Sequence, residues 1–317
     1  MTGDPGPRGA VFDGFAEQEV STGRGRVFAR VGGQGPPLLL LHGYPQTHLM
    51  WRTAGALLAA EHTVVAVDLP GYGASFRPVP TPDHAAHSKR AIADDLVQAM
   101  SRLGHDVFAV AGHDRGGRVA YRMALDHPER VTAAAVLDVV PTGEVWARAD
   151  AAMALGYWHW AFLAQPAPLP ERLIAADPDA FFDLHVRALG LGRAPDRYPP
   201  ELMAVYRELL DDPATVQAIC EDYRAGAGVD REHDDADRGR RIVECPLLAL
   251  WSATGALPRF YGDVLDVWRP WARHVVGQGI DGSHFLVEDQ PEQVADLLSG
   301  FLRQPEHGLP TSREAPT

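Results

Sequence analysis

The chain has 317 residues, 46% of them hydrophobic and 22% charged, with a formal net charge of −13. That is ordinary soluble composition, long enough for one α/β domain carrying an insertion. The acidity, with no basic stripe along the chain, excludes the footprint of a nucleic-acid binder.

Only two cysteines occur, Cys220 and Cys245, at a spacing that fits no metal or redox motif. Both are expected to be buried apolar thiols in a reducing compartment. The opening MTGDPGPRGAV lacks the basic-then-apolar pattern of a secretory signal. The apolar run Leu38–Leu41 is too short to span a bilayer. A cytoplasmic protein without a membrane contact is therefore expected. Residues 1–10 and 304–317, rich in Gly, Pro and polar residues, are expected to be disordered tails.

Between the tails, strand-like runs alternate with helical patterns. Pro37–Leu41 reads as a buried strand leading into HGYPQT, and His62–Asp68 as a second strand. The pair His84 and His87 in DHAAH has ligand-like spacing but no third partner, and reads as a solvated loop with no metal. Ala91–Leu103 has helical periodicity, with Ile92, Leu96, Met100 and Leu103 on one face. Val107–Ala111 is a strand, followed by GHDRGG and a helix to about Asp126. Val131–Leu137 and Val243–Trp251 are further strands. The alternation predicts an α/β fold with a mostly parallel sheet flanked by helices. The expected core is 11–141 and 227–303. The stretch 142–226, helical and rich in Trp, Tyr and Pro, is expected to be an inserted cap over the carboxyl edge of the sheet, where ligands bind in such folds.

The segment Gly112-His113-Asp114-Arg115-Gly116 follows a strand and precedes a helix. This is the context of the small-x-nucleophile-x-small elbow, here with Asp114 in place of the usual Ser. Small flanking residues are needed because the turn is tight. A carboxylate needs no proton removed before it displaces a leaving group at saturated carbon and forms an ester. The element argues against an esterase and toward dehalogenase or epoxide-opening chemistry. Its plain alternative is an aspartate capping the next helix.

His284 in Gly282-Ser283-His284-Phe285 comes last, as the nucleophile–acid–histidine order of this fold requires. It would activate water against the ester. The loop after Trp251, SATGALPRFYG, holds no acid before Asp263, so Asp138 at the end of Val131–Leu137 is assigned as the acid that orients His284. The oxyanion donors are expected to be the backbone N–H groups of Tyr44 and Arg115.

Arg115 and Arg118 stand in the first turn of the helix after the elbow, where cations are unfavourable by a few tenths to ~1 kcal/mol. At i and i+3 they share a face. An anion beside Asp114 would explain both, since the guanidinium fork matches a carboxylate. A pair of surface salt bridges is the alternative, and Arg122 on the same face is read as structural. Local arginines would also let an anionic substrate approach an acidic protein.

The motifs HGYPQT, GHDRGG, VLDVVPT, YWHWAFLAQPAPLP and CEDYRAG together resemble the fluoroacetate dehalogenases of the α/β-hydrolase superfamily, from about Phe12 to Leu302. The resemblance implies that Asp114 is the nucleophile, Asp138 the acid, His284 the base, and Arg115 and Arg118 a carboxylate clamp. It further implies a halide pocket of His159, Trp160 and Tyr223, and dimers. Without it, those aromatic residues read as cap packing. An indole N–H, an imidazole and a phenol are suitable donors to a departing fluoride. The implied reaction takes haloacetates to hydroxyacids without cofactor or metal. The chain departs from the family pattern at DGSHF, where SGHF is more usual, and in the loop SATGALPRFYG. An epoxide hydrolase, with Tyr157 and Tyr223 as its cap tyrosines, and a binding protein that keeps the fold without turnover are the other readings. A neutral epoxide has no use for an arginine pair.

Overall fold

The computed structural model describes residues 12–192 and 195–303. Both expected tails, 1–10 and 304–317, lie outside the described residues. Eight strands form one sheet: β1 (Ala16–Ser21), β2 (Arg26–Gly32), β3 (Pro37–Leu41), β4 (Thr63–Val67), β5 (Phe108–His113), β6 (Val131–Leu137), β7 (Leu247–Ser252) and β8 (Val275–Ile280). Their order is β1-β2-β4-β3-β5-β6-β7-β8. β2 runs antiparallel to β1 and β4, and β4 through β8 pair in parallel.

The central strands are apolar on both faces because helices cover both. Leu38–Leu41, Val64–Val67 and Phe108–His113 are buried along their length, as a parallel sheet requires. β1 reads AEQEVS, with only Val20 buried. A strand paired on one side at the sheet's rim needs little apolar alternation, so its sequence carries no clear strand signal. The expected strand Val243–Trp251 begins only at Leu247, while Val243 makes an isolated bridge to Ala272. Pro246 has no N–H to give the ladder there, though its carbonyl accepts from the Ala134 N–H at 3.0 Å. β5 extends to His113, so the sheet runs up to Asp114 itself.

Between β6 and β7 the chain carries helices from Thr142–Ala147 to Val229–Asp237, with no strand among the described residues. The start of this stretch is fastened to the helix after the elbow, Arg115–Asp126. Tyr121 Oη donates to Asp234 Oδ2 at 2.7 Å and accepts the Thr142 N–H at 3.1 Å, and the Gly143 N–H donates to Asp234 Oδ2 at 2.8 Å. Arg122 is buried and pairs with Asp234 at 2.7 Å and with Asp237 at 2.5 Å. It is structural, as its distance from the elbow suggests.

The segment around His84 and His87 is not a solvated loop. His84 Nδ1 lies 2.7 Å from Glu221 Oε2. His87 is 1% exposed, and burial pushes its pKa down to about 4. The helix Pro213–Ala227 packs over this segment and takes it out of water. Cys220 is buried and Cys245 half-buried, both free, with burial pushing each thiol up to about 12. Among the described residues no helix is long and apolar enough to cross a membrane.

Arg122→Met should cost about 3–5 kcal/mol of stability, because it strands buried carboxylates on Asp234 and Asp237. Denaturant titration checks this, and a loss well under 1 kcal/mol would contradict it.

Candidate active site

Asp114 closes β5 and opens the following helix with φ 46 and ψ −116. Positive φ at a non-glycine residue costs about 1–3 kcal/mol and persists only where its surroundings enforce it. The enforcement is steric. A Cβ on Gly112 would meet Gly116 O at 2.3 Å, and one on Gly116 would meet His42 O at 2.4 Å. Asp114 occupies the helix N-cap position, yet its side chain makes no capping bond. Its Oδ2 instead accepts the Tyr44 N–H at 3.0 Å, from the loop after β3. Gly43 permits that approach, since a Cβ there would lie 2.5 Å from Asp114 Cβ.

Asp138 ends β6 with φ 51, a second strained position that sequence patterning does not reveal. The Asp138 N–H donates to Leu250 O at 2.7 Å, and its Oδ1 accepts the Ser252 N–H at 2.9 Å. That leaves Oδ2, which accepts from His284 Nδ1 at 2.6 Å. The histidine's Nε2 is then turned to the remaining space. The DGSHF turn is pinned: Ser283 N–H and Oγ donate to Asp289 Oδ2 at 2.7 and 2.6 Å, and Ser252 Oγ donates to Gly282 O at 2.5 Å. His113 Nε2 bonds the His284 carbonyl at 2.8 Å. The departure from the SGHF form therefore leaves a well-tied loop.

Burial alone would depress the His284 pKa, but its hydrogen bond to Asp138 and the charges of Asp138 and Asp114 raise it above the ordinary value. Burial alone would raise the Asp114 carboxyl. His284 and Arg115, with smaller contributions from His113 and Arg118, hold it below its ordinary value. Asp114 is thus an anion at neutral pH although only 7% exposed.

A small cavity of about 20 Å³, enough for roughly one water, joins Asp114, Asp138 and His284 to Arg118, His159, Trp160 and Tyr223. A larger cleft of about 320 Å³ lies beside His48 and Asp68 and contains none of the expected site residues. Most of the expected site residues therefore gather around the smaller space. Tyr157 and Leu189 also line the small cavity, and sequence reasoning gave Leu189 no place there.

Both arginines are buried, which removes the surface salt-bridge reading. They do not reach the cavity alike. Arg118 lines it, with its guanidinium 4.5 Å from the Trp160 ring centre, while Nη1 donates to Val140 O at 2.8 Å. Arg115 lies one layer out, 4.2 Å over the Tyr223 ring. Its Nε donates to Asp222 Oδ2 at 2.5 Å and its Nη2 to Asp222 O at 2.9 Å, which draws it back from the expected shared position. Nη1 is buried without a hydrogen-bond partner. Asp222 also takes the buried Lys89, and its carboxyl is held down at about 2, burial being outweighed by Arg115 and Lys89. Neither Asp222 nor Lys89 stands out in the sequence.

His159 is buried, and burial together with His185 pushes its pKa far below the ordinary value, so it is neutral. The two rings lie 4.5 Å apart, His185 standing on a π-helical turn, Phe182–Val186.

Asp138→Asn should lower the His284 pKa, because the carboxylate is the principal partner raising it. NMR titration of the imidazole reads the shift, and an unchanged or higher value would contradict the coupling.

The alpha/beta hydrolase fold family matches residues 36–252. The chain is 43% identical to a fluoroacetate dehalogenase of Burkholderia sp over 94% of its length and 97% of that protein's. It is 31% identical to a soluble epoxide hydrolase of Corynebacterium sp, covering 85% of this chain and 91% of that one. A crystal structure from Nostoc sp superposes with a TM-score of 0.89 at 44% identity, covering 92% of this chain and 99% of that one. With its eight-stranded sheet and its elbow aspartate, the chain belongs to the alpha/beta hydrolase family, in the group that includes fluoroacetate dehalogenase.

Proposed function

We propose that the protein is a hydrolytic dehalogenase of small 2-haloacids, taking fluoroacetate to glycolate and fluoride. One observation carries the reading: an ionised, buried Asp114 shares a cavity of about 20 Å³ with His284 and with Arg118. A carboxylate nucleophile suits displacement at saturated carbon, and an arginine beside it suits a substrate that is itself a carboxylate. The name of the Burkholderia relative supports the same substrate class.

In this scheme the substrate carboxylate meets Arg118 and the unpartnered Nη1 of Arg115. Asp114 attacks the halogen-bearing carbon and the halide leaves toward His159, Trp160 and Tyr223, which line the same space. Neutral His159 acts as a hydrogen-bond donor without adding a charge. His284, oriented by Asp138, then takes a proton from water as it attacks the Asp114 ester carbonyl. Tyr44 N–H, already on Asp114 Oδ2, and the backbone N–H of Arg115 hold the charge that develops there. The scheme uses no cofactor or metal. The reading includes a cytoplasmic homodimer with an inserted cap at 142–226, meeting a small anionic substrate and no nucleic acid or membrane. An epoxide hydrolase is the second reading, favoured by Tyr157 and Tyr223 among the three tyrosines that line the cavity, with Arg118 weighing against neutral epoxides.

The first test is fluoride released from fluoroacetate by the wild type, with Asp114→Ala abolishing it. No release from fluoroacetate or chloroacetate would overturn the proposal. His284→Ala should stop the reaction after its first half and accumulate one carboxymethyl group on Asp114. Intact mass after substrate addition reads this, and an unmodified variant would refute the two-step division.

A further inference from the structure

The turn that carries His284 is fastened through Asp289, a half-buried carboxylate whose two oxygens serve different parts of the chain. Oδ2 takes the Ser283 N–H and hydroxyl, at 2.7 and 2.6 Å. The same hydroxyl accepts the Phe285 N–H at 3.1 Å, so it ties both neighbours of His284. Oδ1 takes the Tyr198 hydroxyl at 2.9 Å, from the segment inserted between β6 and β7. Tyr198 is buried and stands just ahead of the helix Pro200–Glu208. These donors are neutral, so they fix direction without cancelling charge.

The preceding carboxylate repeats the arrangement on another side. Glu288 accepts from Tyr206 Oη of that helix at 3.2 Å and from Gln46 Nε2 in the loop after β3. Arg52 donates to Glu288 and to Arg197 O, and Arg197 pairs with Glu292 at 2.8 Å. Losing one phenol hydroxyl therefore leaves residues 197–206 seated on the core.

We propose that Asp289 is a positioning residue for the hydrolytic half of the reaction, and that Tyr198 makes the aim of His284 depend on the seating of the inserted segment. The inference rests on the two-step dehalogenase reading, in which His284 has no task while Asp114 displaces the halide. In the second half its Nε2 must reach water. The water oxygen bonds to the ester carbonyl carbon as one proton passes to Nε2. The bond from that carbon to the hydroxyacid oxygen then breaks, and that oxygen takes the proton from Nε2. Asp114 is a carboxylate again, and the second water proton goes to solvent. A turn loosened by about 1 Å or less moves Nε2 off this line. It leaves Asp114, held by the elbow between β5 and its helix, where it was.

The test is rapid-quench analysis of Tyr198→Phe, Asp289→Ala and Tyr206→Phe beside the wild type, with fluoroacetate and chloroacetate. It reads halide in the first turnover and the mass of the Asp114 ester over time. First-turnover halide release should match the wild type. The ester should last about tenfold longer in Tyr198→Phe, and longer again in Asp289→Ala, part of the roughly 10²–10⁴ that a positioned base contributes. Tyr206→Phe loosens the same helix without touching Asp289 and should hydrolyse the ester at the wild-type rate. An unchanged ester lifetime in Tyr198→Phe, or equal slowing of both halves, would overturn the inference, as would an equally long-lived ester in Tyr206→Phe. No halide from the wild type with either acid would overturn the dehalogenase reading instead. Proton exchange at His284 Nδ1, read by NMR without substrate, then decides the inference: faster exchange in Tyr198→Phe supports it, and an unchanged rate overturns it.

Discussion

Asp114 is a buried anion kept from pairing with the cations beside it. A buried carboxylate ordinarily takes up a proton or closes onto a cation. Here its side chain accepts the Tyr44 N–H, and the two neighbouring arginines hydrogen-bond elsewhere. Arg115 is drawn to Asp222, and Arg118 to Val140 and Thr142. Their charge still lowers the Asp114 pKa, but neither guanidinium quenches the carboxylate by contact. The nucleophile role proposed for Asp114 requires a carboxylate that is ionised and uncovered at once, and this separation meets both demands.

The restraints come from both parts of the chain. Asp222 stands on Pro213–Ala227, within the helices between β6 and β7, and holds Arg115 from the core side. Lys89, from the helix Lys89–Arg102, bridges Asp222 and Asp230. Sheet and inserted helices therefore set the field around Asp114 jointly. Removing one charge from this buried set would leave another unpaired, with a cost of several kcal/mol. The aromatic faces of Tyr223 and Trp160 against Arg115 and Arg118 keep water from the guanidinium planes.

The second constraint is backbone strain at two neighbouring strand ends. Asp114 and Asp138 both have positive φ, and each passes its N–H to the adjacent strand, to Leu137 O and to Leu250 O. The parallel register sets these residues side by side at the carboxyl edge. The His284 loop comes over them from β8, tied by Ser252, His113 and Asp289. Rigid strand ends hold these side chains more closely than free loops would.

Much of this was legible in the sequence because it rests on local rules. The elbow is a short pattern with a steric reason, so Asp114 and its glycines could be read directly. Chain order and the lack of an acid in SATGALPRFYG pointed to Asp138 and His284, and the structure brings these two within 2.6 Å. The central strands were legible from their continuous apolar runs. β1, with a single buried side chain, was not, and DHAAH read as solvated because the helix that buries His87 lies far away in sequence.

The sequence alone determined which chemical groups are present: a carboxylate where a hydroxyl usually stands, a late histidine, and arginines at an unfavourable helix start. Only the tertiary structure decided how those groups divide their bonds. Arg115 is turned to Asp222 and Arg118 to the cavity that Asp114 lines. The reason is physical. A side chain's type follows from its position in the chain, but its partners depend on which distant residues share its buried volume, and long-range packing alone sets that.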